Sequence, residues 1–114
     1  MTYQTTLLDG AGDYELALDG KVYADTAPEL KAVLASSVER GLKRLVVNAA
    51  RLEQIDSAGL GVFVNLLKQI RPKGGKIVFF ACNPNVERVF EITKLGKVIP
   101  VVKTREDALG SLVT

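Results

Sequence analysis

Apolar and polar positions along this chain change period several times, and each change marks a boundary between elements. Thr2 to Leu8 alternates loosely around Tyr3, Thr5 and Leu7, and Tyr14 to Leu18 alternates cleanly. A period of two is the mark of a strand with one buried face. Asp9-Gly10-Ala11-Gly12-Asp13 supplies turn chemistry between the two runs. They predict an N-terminal hairpin whose second strand closes at Asp19-Gly20. Thr26 and Glu29 then stand at capping-box spacing around Pro28, and Leu30, Val33, Leu34 and Val38 give the following helix an apolar stripe that Gly41 ends.

Leu45-Val46-Val47 is short, continuous and β-branched, which predicts a strand buried on both faces, and Asn48 to Ile55 predicts the loop after it. A second helix is predicted from Ala58 to Arg71, with Leu60, Phe63, Val64, Leu67 and Ile70 on one stripe and Pro72 and Gly74-Gly75 as its stop. Ile77 to Phe80 repeats the buried-strand pattern. Asn83-Pro84 reads as a cap and first helical residue, Val86, Val89 and Phe90 as an apolar face, and Gly96 as a terminator. Val98 to Val102 predicts a last strand that Pro100 places at an edge or bulge. Thr104 and Asp107 cap a short helix around Ala108-Leu109.

The order β-β-α-β-α-β-α-β-α predicts one α/β domain spanning residues 1–114. Its sheet is mixed and mostly parallel, joined by right-handed crossovers, with an antiparallel hairpin strand at one edge and four helices. The functional crevice of such a sheet lies beyond the carboxyl ends of its strands, where the segment Asn48–Ser57 emerges.

Composition narrows the chemistry. At 47% hydrophobic and 25% charged residues over 114 positions, the chain suffices for one core. No positively charged leader precedes an apolar segment, and no apolar run approaches the roughly 18 residues of a membrane span. The expectation is a soluble cytoplasmic protein without membrane insertion. With no histidine, Ser-His-Asp and Cys-His catalysis and imidazole-ligated zinc are excluded. Cys82, the single cysteine, reads as an inert, partly buried thiol. Residues 1–57 carry 6 Lys/Arg against 9 Asp/Glu, and residues 58–114 carry 9 against 4, so the molecule is electrically lopsided. The basic side chains lack the interleaved aromatics of a single-strand binder, and they read as solvated helix ends and turns rather than a nucleic-acid face.

The chemistry concentrates at Asp56-Ser57-Ala58-Gly59-Leu60-Gly61, where a polar segment meets an apolar helix. Backbone N–H groups in a first helical turn lack partners, and the helix dipole favours negative charge there. Ser57 is either a helix cap or an exposed hydroxyl open to phosphorylation, which adds about −1.5 to −2 charge. Each helical glycine costs about 1 kcal/mol relative to alanine. Gly59 and Gly61 therefore mean that something approaches this turn, either the protein's own strands or another protein. Gly59-x-Gly61 has neither the spacing nor the lysine of a triphosphate loop. Asp56, Glu53 and Asp25 are too few for a metal or an acid-base pair; Asp56 can cap the helix, and Asp25 precedes another one.

The run Leu45-Val46-Val47-Asn48, the segment Ile55-Asp56-Ser57-Ala58-Gly59-Leu60-Gly61, and Gly74-Gly75 before an apolar strand resemble the sulfate transporter and anti-sigma factor antagonist (STAS) family. With Asn83-Pro84, Val86, Arg88-Val89-Phe90, Thr93 and Leu95, the chain is similar over nearly its whole length to the free-standing bacterial anti-sigma factor antagonists. The resemblance implies a non-enzymatic partner switch. The unphosphorylated antagonist binds an anti-sigma factor that is itself a serine kinase, phosphorylation at Ser57 ends that binding, and a PP2C-type phosphatase restores it. ATP belongs to the kinase, so no cofactor or metal is expected. The implied partner surface comprises Asp56, Ser57, Ala58, Gly59, Leu60 and Gly61 with Tyr23 and Asp25, the glycines giving a partner clearance, on a monomer or weak dimer that does not bind nucleic acid directly. Where members often carry Gly-Glu-apolar-Asp, this chain has Gly20-Lys21-Val22-Tyr23, with Asp25 two positions on. The departure leaves open a member that binds without being switched. Two other readings also stay open: an accessory subunit of a membrane lipid or anion transport system, and a small-ligand or nucleotide binder.

Overall fold

A computed structural model describes residues 1–9 and 11–113, so Gly10 of the first turn lies outside the described residues. Strands β1 (Thr2–Leu7), β2 (Asp13–Val22), β3 (Arg44–Ile55), β4 (Lys76–Phe80) and β5 (Val101–Val102) alternate, after the hairpin, with helices α1 (Ala27–Glu39), α2 (Ser57–Ile70), α3 (Pro84–Thr93) and α4 (Arg105–Leu112). The sheet runs β1-β2-β3-β4-β5, antiparallel between β1 and β2 and parallel elsewhere. This is the predicted order, with the antiparallel strand at the predicted edge.

Sequential parallel strands joined by crossovers of one hand place α1, α2 and α3 on the same face of the sheet. The main core forms there: Leu16, Leu18 and Val22 of β2 and Leu45, Val47, Ala49, Leu52 and Ile55 of β3 meet Leu30, Leu34, Leu60, Phe63, Leu67, Ile70, Val86 and Phe90. Phe79 sits between two other rings, 4.9 Å from Phe63 and 5.0 Å from Phe90 in edge-on geometry. On the opposite face, α4 covers a smaller cluster of Val46, Val78, Phe80, Ala108 and Leu112. Arg44 holds that helix in place by donating to the Leu112 carbonyl (3.0 Å) while pairing bidentately with buried Asp13.

The structure differs from the predicted elements where local chemistry is diverted. β2 continues through Asp19-Gly20 to Val22, because Gly20 takes φ +95° inside the strand. The segment Asn48–Ile55 is the second half of β3 rather than a loop. Two register shifts against β2 each place an extra residue in β3, so its buried residues run Ala49, Leu52, Ile55 at a spacing of three instead of two. The Thr26–Glu29 capping box does not form: the Thr26 hydroxyl bonds the Tyr23 N–H (3.0 Å) and carbonyl, and no side chain caps α1. In α2 the buried stripe is broader than expected, with Val62 and Leu66 buried and Val64 half-buried. α3 ends at Lys94 in the left-handed region rather than at Gly96, and the last strand is reduced to Val101–Val102, with Ile99 turned into the core.

Candidate functional site

β3 outruns its neighbour. Its pairing with β4 stops at Asn48–Phe80, while its pairing with β2 continues to Ile55. The last seven residues of β3 therefore form a two-stranded ribbon with β2 that projects past the carboxyl end of β4. Such an overhang leaves β3 carbonyls without ladder partners on one side. Asn83 meets that need: its amide donates to the carbonyls of Leu52 (3.1 Å) and Glu53 (3.0 Å), and its side-chain oxygen caps α3 by accepting from Val86 N–H (2.9 Å). The cap of α3 is legible in Asn83-Pro84, but the brace to β3 is not, because it depends on the unpredicted half of that strand.

At the tip of the ribbon the chain turns from Ile55 into α2, and Asp56 organises the turn. Its backbone is extended, and its Oδ1 accepts from Gly59 N–H at 2.8 Å, which is N-cap geometry. Its Oδ2 accepts from Ala24 N–H at 3.1 Å, and its own N–H donates to the Val22 carbonyl at 3.1 Å. One carboxylate thus ties the α2 start to the β2–α1 connection. The cap being Asp56, Ser57 is left as the first helical residue, exposed, with no partner for its hydroxyl among the described residues.

The two glycines separate. An added Cβ at Gly59 would stand 2.8 Å from the Val22 carbonyl oxygen and 3.0 Å from an Ile55 methylene, so the clearance there serves the protein's own β2 and β3. Beyond its own turn of helix, an added Cβ at Gly61 would meet nothing within 4 Å among the described residues. Among the six residues singled out, Ser57 and Ala58 are exposed, Asp56 and Gly61 half-buried, and Gly59 and Leu60 buried. Leu60 belongs to the core, so its side chain is not presented at the surface. Tyr23 lies beside this turn with its hydroxyl donating to the Gln54 side chain, one strand over. Asp25 follows Ala24 in the same connection and is exposed. The structure therefore gathers Tyr23, Asp25, Asp56, Ser57, Ala58 and Gly61 on one rim.

That rim offers an unpartnered hydroxyl at the positive end of a 14-residue helix, with α2 carrying no acidic residue in its own first turn. No group of three or more side chains able to hold a metal occurs among the described residues. Cys82, just beyond β4, is half-buried, and burial assisted by Glu87 pushes its thiol up to about 12, so it is no nucleophile at neutral pH. No helix among the described residues is long and apolar enough to cross a membrane.

The STAS domain model matches residues 5–108, which takes in the whole rim and all but the ends of the fold. The chain belongs to the STAS domain family. Among relatives, BtrV of Bordetella bronchiseptica, named as an anti-sigma factor antagonist, is 38% identical over 97 residues, covering 85% of this chain and 84% of its own. The anti-sigma-B factor antagonist of Staphylococcus aureus is 32% identical over 88 residues, covering 77% and 82%. A Thermotoga maritima crystal structure, also named for an anti-sigma factor antagonist, superposes with a TM-score of 0.88 at 25% identity over 98% of this chain and 95% of that one.

Proposed function

We propose that this STAS protein is an anti-sigma factor antagonist of a partner-switching system. It binds, through the rim around Ser57, an anti-sigma factor that is itself a serine kinase. Phosphorylation of Ser57 by that kinase ends the association, and a PP2C-type phosphatase restores it. The names of the relatives support the class of partner. The observation that carries the switch is the Ser57 hydroxyl: exposed, released from capping duty by Asp56, and set at the start of α2.

The physical logic is a difference between fold and interface. A phosphate on Ser57 brings about −1.5 to −2 charge to a helix N-terminus, where the dipole favours it. The fold tolerates the group. Against a docked partner the same charge must lose water or meet a surface shaped for a neutral hydroxyl, which costs several kcal/mol for an unpaired ion. Gly61 and Ala58 leave room for the partner to come close on the open side of the turn. Tyr23, its hydroxyl engaged with Gln54, stands at the sequence position where an acidic residue is common in the family, and exposed Asp25 follows two positions on.

The test is incubation with the candidate kinase and ATP followed by intact-mass measurement and peptide mapping. One phosphate, on Ser57 and absent from Ser57→Ala, is the expected result. An unmodified protein whose kinase binding is indifferent to Ser57→Asp rejects the switch.

A further inference from the structure

Sheet edges usually carry a charge, a proline or a bulge that blocks pairing with another chain. β1 has none of these. Its residues Thr2-Tyr3-Gln4-Thr5-Thr6-Leu7 include no Asp, Glu, Lys or Arg, it pairs with β2 in unbroken register, and every one of them is exposed. Two of the large apolar side chains left exposed in the molecule, Tyr3 at 45% and Leu7 at 56%, lie on this strand.

Residues facing one another across an antiparallel pair share a face of the sheet. Tyr3, Thr5 and Leu7 face Leu18, Leu16 and Tyr14, so they lie on the face that carries the helices. The geometry points to a second copy of this chain as the occupant of that edge, paired antiparallel about a two-fold axis through Thr5. A two-fold normal to the sheet keeps the helix-bearing faces on the same side, and residues can then pair only when their numbers have the same parity. Centring on Thr5 sets Tyr3 of each copy against Leu7 of the other, Thr5 against its own symmetry mate, and Gln4 against Thr6. The exposed aromatic and the exposed aliphatic side chain thus cover each other twice, while the threonine pair and the Gln–Thr pairs meet without any like-charge contact.

The pairing leaves the serine rim free. That rim lies at the carboxyl ends of β2 and β3, and the two-fold sends the two rims to opposite ends of the doubled sheet. Dimerisation of this kind is independent of the state of Ser57.

Sedimentation equilibrium from micromolar to millimolar protein tests the idea. The wild-type protein is expected to pass from monomer to dimer with concentration, and Ser57→Asp to do the same. Thr5→Lys and Thr5→Glu each oppose like charges on the axis, and each is expected to weaken the dimer by about fivefold or more. Mixing the two restores it as a heterodimer. Thermal melting of each variant checks that the exposed position leaves the fold intact. As a second readout that needs no charge, Tyr3→Cys mixed with Leu7→Cys is expected to give a cross-linked heterodimer under mild oxidation that neither gives alone. A wild-type protein monomeric throughout, a dimer unaffected by either Thr5 variant, or a mixture that fails to recover it overturns the proposal.

Discussion

The two sides of the first turn of α2 are built to opposite ends, although their residues are the same in kind. On the inner side Gly59 presses against the Val22 carbonyl and Ile55, and Leu60 is fully buried. On the outer side Gly61, Ala58 and Ser57 border open space. Asp56 stands between them and fixes both, holding Gly59 N–H on one oxygen and Ala24 N–H on the other. The contrast teaches that a glycine inside a helix is not by itself a clue to a binding face. One of these glycines is consumed by the fold, and only the other is available to a partner.

Substitutions that fall on one side or the other put this contrast to the test. The largest effect is expected at Gly59: a valine there must displace the β2 backbone at 2.8 Å, and chemical denaturation should record a loss of about 3 kcal/mol, the upper range for overpacking. A Gly59→Val protein as stable as wild type would mean that the inner side is not closed. Asp56→Ala is next, removing the cap and stranding two N–H groups, for a loss of about 1–2 kcal/mol in the same measurement. Gly61→Ala should move the other way. With no described atom within 4 Å of the added methyl, the gain in helix propensity is expected to stabilise by about 0.8–1 kcal/mol, while partner binding, measured by calorimetry, is expected to weaken. The smallest stability change belongs to Ser57→Ala, within about 0.5 kcal/mol, because the hydroxyl bonds nothing among the described residues. A larger loss would return Ser57 to a structural role.

The same contrast explains what could be read without coordinates. The element order, the antiparallel edge, the Asp56 and Asn83 caps and the position of the serine at the carboxyl rim follow from periodicity and capping chemistry, which act over a few residues. The second half of β3 does not, because two inserted residues convert its alternation into Ala49, Leu52, Ile55, a spacing that no strand template matches. Thr26 carries the correct residue type for a cap, yet the fold turns its hydroxyl to Tyr23. Gly59 and Gly61 are indistinguishable as letters, since what separates them is the distance to β2, a strand more than thirty residues earlier in the chain. The Asn83 brace is hidden for the same reason, its partners Leu52 and Glu53 lying on the part of β3 that reads as a loop.

The central claim is that a phosphate on Ser57 is tolerated by the fold and rejected by the partner. Calorimetric titration of the partner kinase into the phosphorylated and unphosphorylated protein, with thermal melting of both forms, tests it in one series. Binding that weakens by about a hundredfold or more, roughly 2.7 kcal/mol, with a melting temperature moved by no more than a few degrees, is the predicted result. Equal affinity of the two forms, or a phosphorylated protein that has lost its fold, would contradict it.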